Sequence, residues 1–504
     1  MELNRDLCRA ARLSRDPRFD GKFFIAVRTT RIFCRPVCPA RSPKETNIDY
    51  YPSAAAALQE GYRPCLRCRP ESWGTPAWNG TSTTVIRALR LIEEGALDAV
   101  AESSGAESTG VDALADRLGI GSRHLRRLFL QHLGATPIAV AQAQRLLSAK
   151  KLIDETTLPI TAVAIASRYG SLRRFNAAFL ASYGRSPREL RRASPRASSY
   201  GPSTLQLRFR PPYDYGALLN FLAKRAIAGV EYIRGDIYRR TFVLDGEPGW
   251  LEVQPRASHA LTLRIERVRP ARLLHVVSRV RRIFDLDADP LAIHSSLKRD
   301  PLLARFIKAR PGLRVPGAWD PFELGIRAIL GQQVSVAGAS TLTARLAARF
   351  GHSVPFQIEG LACTFPAAHE LVDAELAIGI PGSRAEAIRE FARAVDSGSL
   401  AFDGVHDTAT SVARLCAIRG LGPWTAQYIA MRALSDPDAF PAGDLALLRA
   451  TGLKTPAQLE RHAERWRPWR AYAAMHIWQG AHDGTNSLLH MDAKPSGKAA
   501  AGGG

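Results

Sequence analysis

RLCAIRGLGPWTAQYIAMRAL, residues 414–434, sets a Gly-x-Gly turn (Gly420, Gly422) between two stretches with helical apolar spacing. A helical hairpin of this kind aims backbone N–H groups at a phosphate without reading sequence, often through a bound monovalent cation. Glycines between two helices are a weak signal alone. Their weight comes from FPAGDLALL, residues 440–448, which places Asp444 at the start of another helix just after a Pro/Gly turn. A lone acid there is ordinarily an N-cap; behind such a hairpin it becomes a candidate for chemistry on nucleic acid.

Outward from the hairpin, the periodicity is helical from about Leu273 almost to the end. Before it, residues 205–269 alternate polar and apolar positions in LQLRFR, YRRTFVL, GWLEVQP and HALTLRIERV, the pattern of half-buried strands, with the helix candidate ALLNFLAKRAIAG between them. Four pieces of this half (PPYDYGALLNFLAKRA, RPGLRVPGAWDPFELGIRAILGQQVSV, GLGPWTAQY and ERWRPWRAYAAMHIW) closely resemble 3-methyladenine DNA glycosylase II, the AlkA family, and the likeness spans about residues 205–482. The resemblance implies that Asp444 is the catalytic aspartate and that Phe221, Trp424, Tyr428 and Trp478 line the pocket for a flipped base. N3- or N7-alkylated purines are cationic and leave readily, so one carboxylate suffices to stabilise the developing oxocarbenium ion and position a water. Aromatic faces attract an electron-poor base, although aromatic residues at helical spacing usually form core. Related hairpin glycosylases with lyase activity carry a lysine where this chain has Trp424, so the resemblance implies a monofunctional enzyme. At the wedge position, often leucine in the family, GQQVSV offers Gln333.

Two further segments precede this half. VDALADRLGIGSRHLRRLFLQHL (111–133) and ITAVAIASRYGSLRRFNAAFLASY (160–183) each read as a pair of amphipathic helices around a turn. Ser122 and Ser171 are the expected N-caps; Leu125, Leu128 and Phe129 in the first unit, and Leu172, Phe175 and Phe179 in the second, are expected to face inward. Two such units followed by GRSPRELRR resemble the AraC-type DNA-binding domain. That resemblance places recognition helices at about 122–131 and 171–182, with Arg123, His124, Arg127, Arg173, Arg174 and Asn176 available to bases or phosphates. Each of these is also an ordinary solvated surface residue.

At the N-terminus, four of the seven cysteines fall in IFCRPVCPAR (32–41) and RPCLRCRP (63–70), as Cys34-x3-Cys38 and Cys65-x2-Cys68. Two close pairs across a loop suit one tetrahedral Zn²⁺. By spacing alone the metal would be structural. The flanking Arg31, Arg35, Arg41, Arg63, Arg67 and Arg69 suggest phosphate contacts instead, and a zinc thiolate stays nucleophilic at neutral pH. FFIAVRTTRIFCRPVCPARSPKETNIDYY…GYRPCLRCRPE resembles the N-terminal domain of Ada, the methyl-phosphotriester repair protein, over about residues 16–72. It implies that Cys34, the first ligand, irreversibly accepts a methyl group from a DNA phosphotriester, and that the lost charge strengthens DNA binding. Arg31 stands where that family usually has glycine. The second methyl-acceptor motif of many such proteins, Pro-Cys-His-Arg, is missing.

The excess of 69 Lys+Arg over 47 Asp+Glu, a net charge of +22, fits a polyanionic partner. The N-terminus has no apolar signal region, and no stretch is apolar enough to span a membrane. With few cysteines, a cytoplasmic location is expected. The expected fold is multidomain and mainly α with α+β parts. It comprises a zinc-binding α/β domain (1–75), a double helix-turn-helix domain (82–192), a β-rich domain (204–272), an all-α helix-hairpin-helix domain (273–484) and a disordered tail (485–504). The expected partners are double-stranded DNA and RNA polymerase, with no organic cofactor, no membrane and a monomeric chain. Two alternatives stay open at this level: a regulator whose glycosylase-like half only binds DNA, and a zinc module that only grips it.

Overall fold

The computed structural model describes residues 3–72, 83–98, 107–192, 204–256, 259–402 and 407–482. Most of the two expected linkers (72–83 and 193–204) and the tail from 485 lie outside the described residues.

The first unit is built on a four-stranded sheet of order β3-β1-β2-β4, with β1 at Phe24–Val27, β2 at Ile32–Cys34, β3 at Ile48–Tyr51 and β4 at Arg63–Pro64. β1 runs antiparallel to both neighbours, while β2 and β4 pair in parallel. All four residues of β1 are buried because both faces are covered. Ile25 packs with Cys8 and Ala11 of the Arg5–Leu13 helix; Phe24 and Ala26 pack with Ala54 and Ala57 of the Ala54–Gln59 helix. The β1–β2 connection ends on Arg31 at φ 53°, a left-handed conformation that favours glycine. Here the arginine is held by its guanidinium, which reaches the Glu60 carbonyl and lies 4.2 Å from the Tyr62 ring centroid.

The middle unit repeats itself at a spacing of 50 residues. Helices Glu107–Arg117 and Ser122–Leu133 are followed by the long helix Pro137–Glu155, then by Ile160–Ala166 and Leu172–Tyr183. Leu125, Phe129 and Leu133 correspond to Phe175, Phe179 and Tyr183, all buried, and each helix stops on a left-handed glycine, Gly134 or Gly184, both at φ 65°. Ser171 caps its helix as expected, accepting from the Arg174 N–H. Two expectations fail locally. The N-cap of the first recognition helix is Gly121, extended and without a side-chain bond, so Ser122 is already helical. Leu172 is 46% exposed, because as the first residue of its helix it falls off the 175–179–183 stripe.

The third unit is an antiparallel five-stranded sheet of order β5-β9-β8-β7-β6. Its strands are Thr204–Arg208 (β5), Glu231–Arg234 (β6), Ile237–Leu244 (β7), Glu247–Arg256 (β8) and Ala260–Glu266 (β9), and the Tyr215–Ala223 helix links β5 to β6. Helices then dominate to residue 482. One hairpin, Ser353–Ile358 with Leu361–Cys363, interrupts them and joins the sheet side through the Ala362 N–H bonded to the Gly229 carbonyl at 2.7 Å.

The units are joined by specific polar contacts. Lys22 pairs with Asp289 at 2.6 Å, Arg210 Nε donates to the Asp20 carbonyl at 3.0 Å, and the Gln206 N–H donates to Glu155 at 3.0 Å. Among the described residues, no helix is long and apolar enough to cross a membrane.

Candidate functional site

The parallel pairing of β2 with β4 sets the cysteines side by side. Phe33 pairs with Pro64, so Cys34 at the end of β2 and Cys65 just beyond β4 lie at the same level. Tight turns bring the others round: Cys38 N–H to the Arg35 carbonyl at 3.1 Å, and Arg69 N–H to the Cys65 carbonyl at 3.0 Å. All four sulfurs lie within 4.8 Å of one another. Zn–S bonds of about 2.3 Å imply tetrahedral S···S edges of about 3.8 Å, so the set fits Zn²⁺. Cys65 and Cys68 are buried; Cys34 and Cys38 are half-exposed. The nucleophile expected from the sequence is therefore one of the two accessible sulfurs.

The arginines around this cluster divide into two sets. Arg31, Arg41, Arg63 and Arg67 are exposed. Arg35, expected to meet DNA, is only 4% exposed: its Nε donates to Asp20 at 2.8 Å, its Nη1 to the Cys68 carbonyl at 2.8 Å, and its N–H to the Cys68 sulfur at 3.3 Å. It serves the interior of the cluster, not a phosphate. Arg69 likewise turns inward, pairing with Glu71, Asp154 and Glu155.

Asp444 is an N-cap, and more. Its Oδ1 accepts the N–H groups of Ala446 and Leu447 at 2.9 and 3.1 Å, closing the start of helix Leu445–Thr451. The same oxygen accepts Trp478 Nε1 at 3.0 Å, and Oδ2 accepts Trp424 Nε1 at 3.1 Å. Trp424 stacks on Tyr428, one turn on in helix Pro423–Arg432, at 5.2 Å and 9°; Tyr428 lies 6.5 Å from Trp478. Phe221 and Tyr428 share the guanidinium of Arg432, at 4.9 and 5.4 Å from their ring centroids. The acid and all four expected aromatic residues thus meet at one site, with the carboxylate at its Trp424–Trp478 end.

The hairpin joins Thr408–Ala417 to Pro423–Arg432. Gly420 takes φ 90°, and a Cβ there would lie 2.8 Å from Ala387 Cβ, so the turn needs glycine. Gly422 is the extended N-cap, followed by Pro423 at the first helical position. Gln332 Nε2 donates to the Gly420 carbonyl at 2.8 Å, tying the Gly331–Ser335 loop to the hairpin. The next residue, Gln333, is exposed at φ 56°, between that anchor and exposed Val334. On the middle unit, Arg123, His124, Arg127, Arg173, Arg174 and Asn176 are all exposed; Arg127 and His124 also touch each other at 2.9 Å.

Sequence reasoning missed Arg225, Gln332 and Arg432. Arg225 and Arg432 lie four residues beyond Phe221 and Tyr428, a helical spacing that could have flagged them.

Four family models match the chain: the metal binding domain of Ada over residues 7–71, a helix-turn-helix domain over 114–193, the AlkA N-terminal domain over 204–320, and the HhH-GPD superfamily of base excision DNA repair proteins over 326–468. The chain is 41% identical over 483 residues to a probable bifunctional transcriptional activator/DNA repair enzyme AlkA of Mycobacterium tuberculosis, covering 94% of this chain and 95% of the relative. It is 37% identical over 277 residues to DNA-3-methyladenine glycosylase 2 of Escherichia coli, covering 54% of this chain and 95% of that protein. The fold of 55% of the chain is that of a solved 3-methyladenine DNA glycosylase from Archaeoglobus fulgidus (TM-score 0.50, 20% identity, 98% of that chain covered).

Proposed function

The chain belongs to the family of bifunctional transcriptional activators and DNA repair enzymes that unite an Ada-type metal-binding domain, a helix-turn-helix domain and a helix-hairpin-helix DNA glycosylase, and on that premise we propose two chemistries on one DNA-binding chain. The first is hydrolysis of the N-glycosidic bond of alkylated bases of the 3-methyladenine type. Its carrying observation is the double indole grip on Asp444 at the end of an aromatic stack. A flipped cationic base enters among Phe221, Trp424, Tyr428 and Trp478. The C1′–N bond breaks with its electron pair moving into the base, which leaves neutral. Positive charge develops on the sugar beside Asp444, which orients a water and takes its proton as oxygen bonds to C1′. The tryptophan N–H groups hold both carboxylate oxygens in place. Trp424 stands where a lyase would carry lysine, so hydrolysis stops at the abasic site, without a Schiff base. Gln333 fills the gap in the stack, and the Gly420–Gly422 turn receives a backbone phosphate, with a monovalent cation.

The second chemistry is methyl transfer to Cys34, favoured by its half-exposed sulfur in a set that fits zinc. Cys34, Cys38, Cys65 and Cys68 would hold Zn²⁺, which would keep the Cys34 sulfur deprotonated at neutral pH. Cys34 attacks the methyl carbon of a phosphotriester; the C–O bond breaks, its electrons return to the phosphate oxygen, and the thioether is irreversible. Arg67 and its exposed neighbours steer the backbone. The lost negative charge strengthens DNA binding. Recognition helices carrying Arg123, His124, Arg127, Arg173, Arg174 and Asn176 then hold a promoter for RNA polymerase. The working units are 1–75, 82–192, 204–272 and 273–484, in a monomeric cytoplasmic chain.

The test is purified chain incubated with DNA bearing 3-methyladenine and methyl-phosphotriesters. Free base, lost in Asp444→Asn, and a methylated Cys34 peptide by mass spectrometry are expected. No free base would leave only a DNA-binding regulator, and an unmodified Cys34 only a structural zinc module.

A further inference from the structure

Charge is distributed unevenly along the base pocket. Trp424, Tyr428 and Arg432 recur every four residues on one face of their helix, rising about 6 Å per step. Asp444 binds at the Trp424 end. At the other end, Arg432 Nη1 donates to the Tyr428 hydroxyl at 2.7 Å, and its guanidinium lies between the Tyr428 and Phe221 rings. Arg225, in the turn just past the Phe221 helix, brings its guanidinium 3.8 Å from the Phe221 centroid and near enough to Tyr428 for its charge to act on the phenol.

These cations are fixed. Arg432 is 6% exposed, and its Nε and Nη2 donate to the carbonyls of Pro316 and Gly317 at 2.8 and 3.0 Å. That loop is itself tied down, the Gly317 N–H donating to the Ile283 carbonyl at 3.0 Å, and it packs closely on Arg282, whose carbonyl a Cβ on Gly317 would meet at 2.3 Å. Arg225 Nη1 donates to the Phe221 carbonyl at 3.3 Å. Among the described residues, the hydrogen-bond acceptors of the two guanidiniums are thus carbonyls and one phenol, not carboxylates. Burial would raise the Tyr428 phenol, yet Arg432 and Arg225 outweigh it and bring the group below the ordinary tyrosine value.

A cationic base is an odd guest beside two guanidiniums unless the reaction relieves the contact. Glycosidic cleavage does so, because positive charge leaves the purine and appears on the sugar. An environment positive at the base and negative at the sugar favours the transition state over the ground state. For a neutral lesion, the same cations meet negative charge growing on the departing base.

We propose that Arg432 and Arg225 are positioning residues that, through the Tyr428 phenol and the Phe221 face, set a positive field at the base end of the pocket, opposite Asp444, which raises the rate of bond cleavage rather than the affinity for the lesion. This rests on the glycosylase reading above and adds the source of rate enhancement to it.

The test is single-turnover base release with enzyme in excess, from DNA carrying cationic 7-methylguanine and, separately, neutral hypoxanthine. Wild type, Arg432→Met, Arg432→Lys and Arg225→Met are compared. The proposal expects the cleavage rate constant to fall about tenfold or more in both methionine variants. The enzyme concentration giving half-maximal rate on 7-methylguanine should stay unchanged or fall, and Arg432→Lys should recover most of the loss. Unchanged cleavage rates with weaker lesion binding would overturn it, as would a lysine variant no better than the methionine one. Should Arg432→Met fail to fold, Arg225→Met, in the turn that follows the Tyr215–Ala223 helix, decides by the same criteria. If wild type releases neither base, the glycosylase reading itself falls; normal release with insensitive variants sinks only the field.

Discussion

Trp424 Nε1 donates to Asp444 Oδ2 across 3.1 Å, linking the first turn of one helix to the N-cap of another. The aspartate thus holds two jobs on separate atoms. Oδ1 serves the cap and Trp478, while among the described residues Oδ2 accepts from Trp424 alone.

These jobs separate by substitution. Asparagine caps helices about as well as aspartate but cannot accept a proton as a carboxylate does. Asp444→Asn should keep the cap on its remaining oxygen but turn an amide NH2 toward Trp424 Nε1, so it should lose base release at a smaller cost in stability than alanine. Asp444→Ala should lose release and also about 1 kcal/mol of stability. Thermal melts beside release assays read the difference; equal destabilisation in both variants would place the effect in the fold.

Arg35 and Arg67 should behave as opposites despite lying in matching arginine-rich flanks. Arg35→Ala strands buried Asp20 beside the cysteine cluster, and uncompensated buried charges cost about 3–5 kcal/mol. Its zinc content and stability should fall together. Arg67→Ala should leave both intact, weaken DNA binding, and reduce the slope of log affinity against log salt by about one. Zinc titration and salt-dependent binding isotherms check the pair.

Acid should weaken the chain through a buried histidine, His476, and its half-buried neighbour His294. His294 and His476 face each other at 6.4 Å, and burial, with Arg314 near both and His294 near His476, holds them down to about 4 and about 3; only Asp289, beside His294, acts the other way. Unfolded histidine titrates near 6.5. The folded state therefore refuses protons that the unfolded chain accepts: stability is complete above about 6.5 and drains away as pH falls toward the folded values. By pH 5 each histidine should cost up to about 2 kcal/mol. Urea midpoints at pH 7 and 5 should drop less in His476→Met than in wild type.

The Gly331–Ser335 loop offers a separate prediction. Gln332 anchors it to the Gly420 carbonyl and Gln333 stands exposed at φ 56°. Gln333→Gly relieves the left-handed backbone yet removes the side chain, so the variant should hold its stability while base release from a fully paired duplex falls. Release from a mismatched site, where unpairing is cheaper, should suffer less. Equal losses on both substrates would argue against a wedge.

Much of the fold was legible because periodicity changes with secondary structure: alternation marked β7, β8 and β9, and four-residue spacing marked the helices around the Gly-x-Gly turn. The cysteine cluster was legible from two short spacings, which the parallel β2–β4 pairing then superimposes. What sequence cannot carry is direction. Arg35 and Arg67 sit in similar surroundings along the chain, but one side chain turns toward Asp20 and the other toward solvent. Leu172 reads as core by type, yet helix phase puts it outside. Arg432 reads as surface charge, though loop carbonyls from more than a hundred residues away bury it against the aromatic stack. The Ser353–Cys363 hairpin is short and half-exposed, so no long alternating run announces it.

One count reaches the centre of this account: moles of free 3-methyladenine released per mole of chain from methylated duplex DNA, followed over time by chromatography. A hydrolase using Asp444 should pass one base per chain and keep turning over. Release that never rises above the Asp444→Asn background would contradict it.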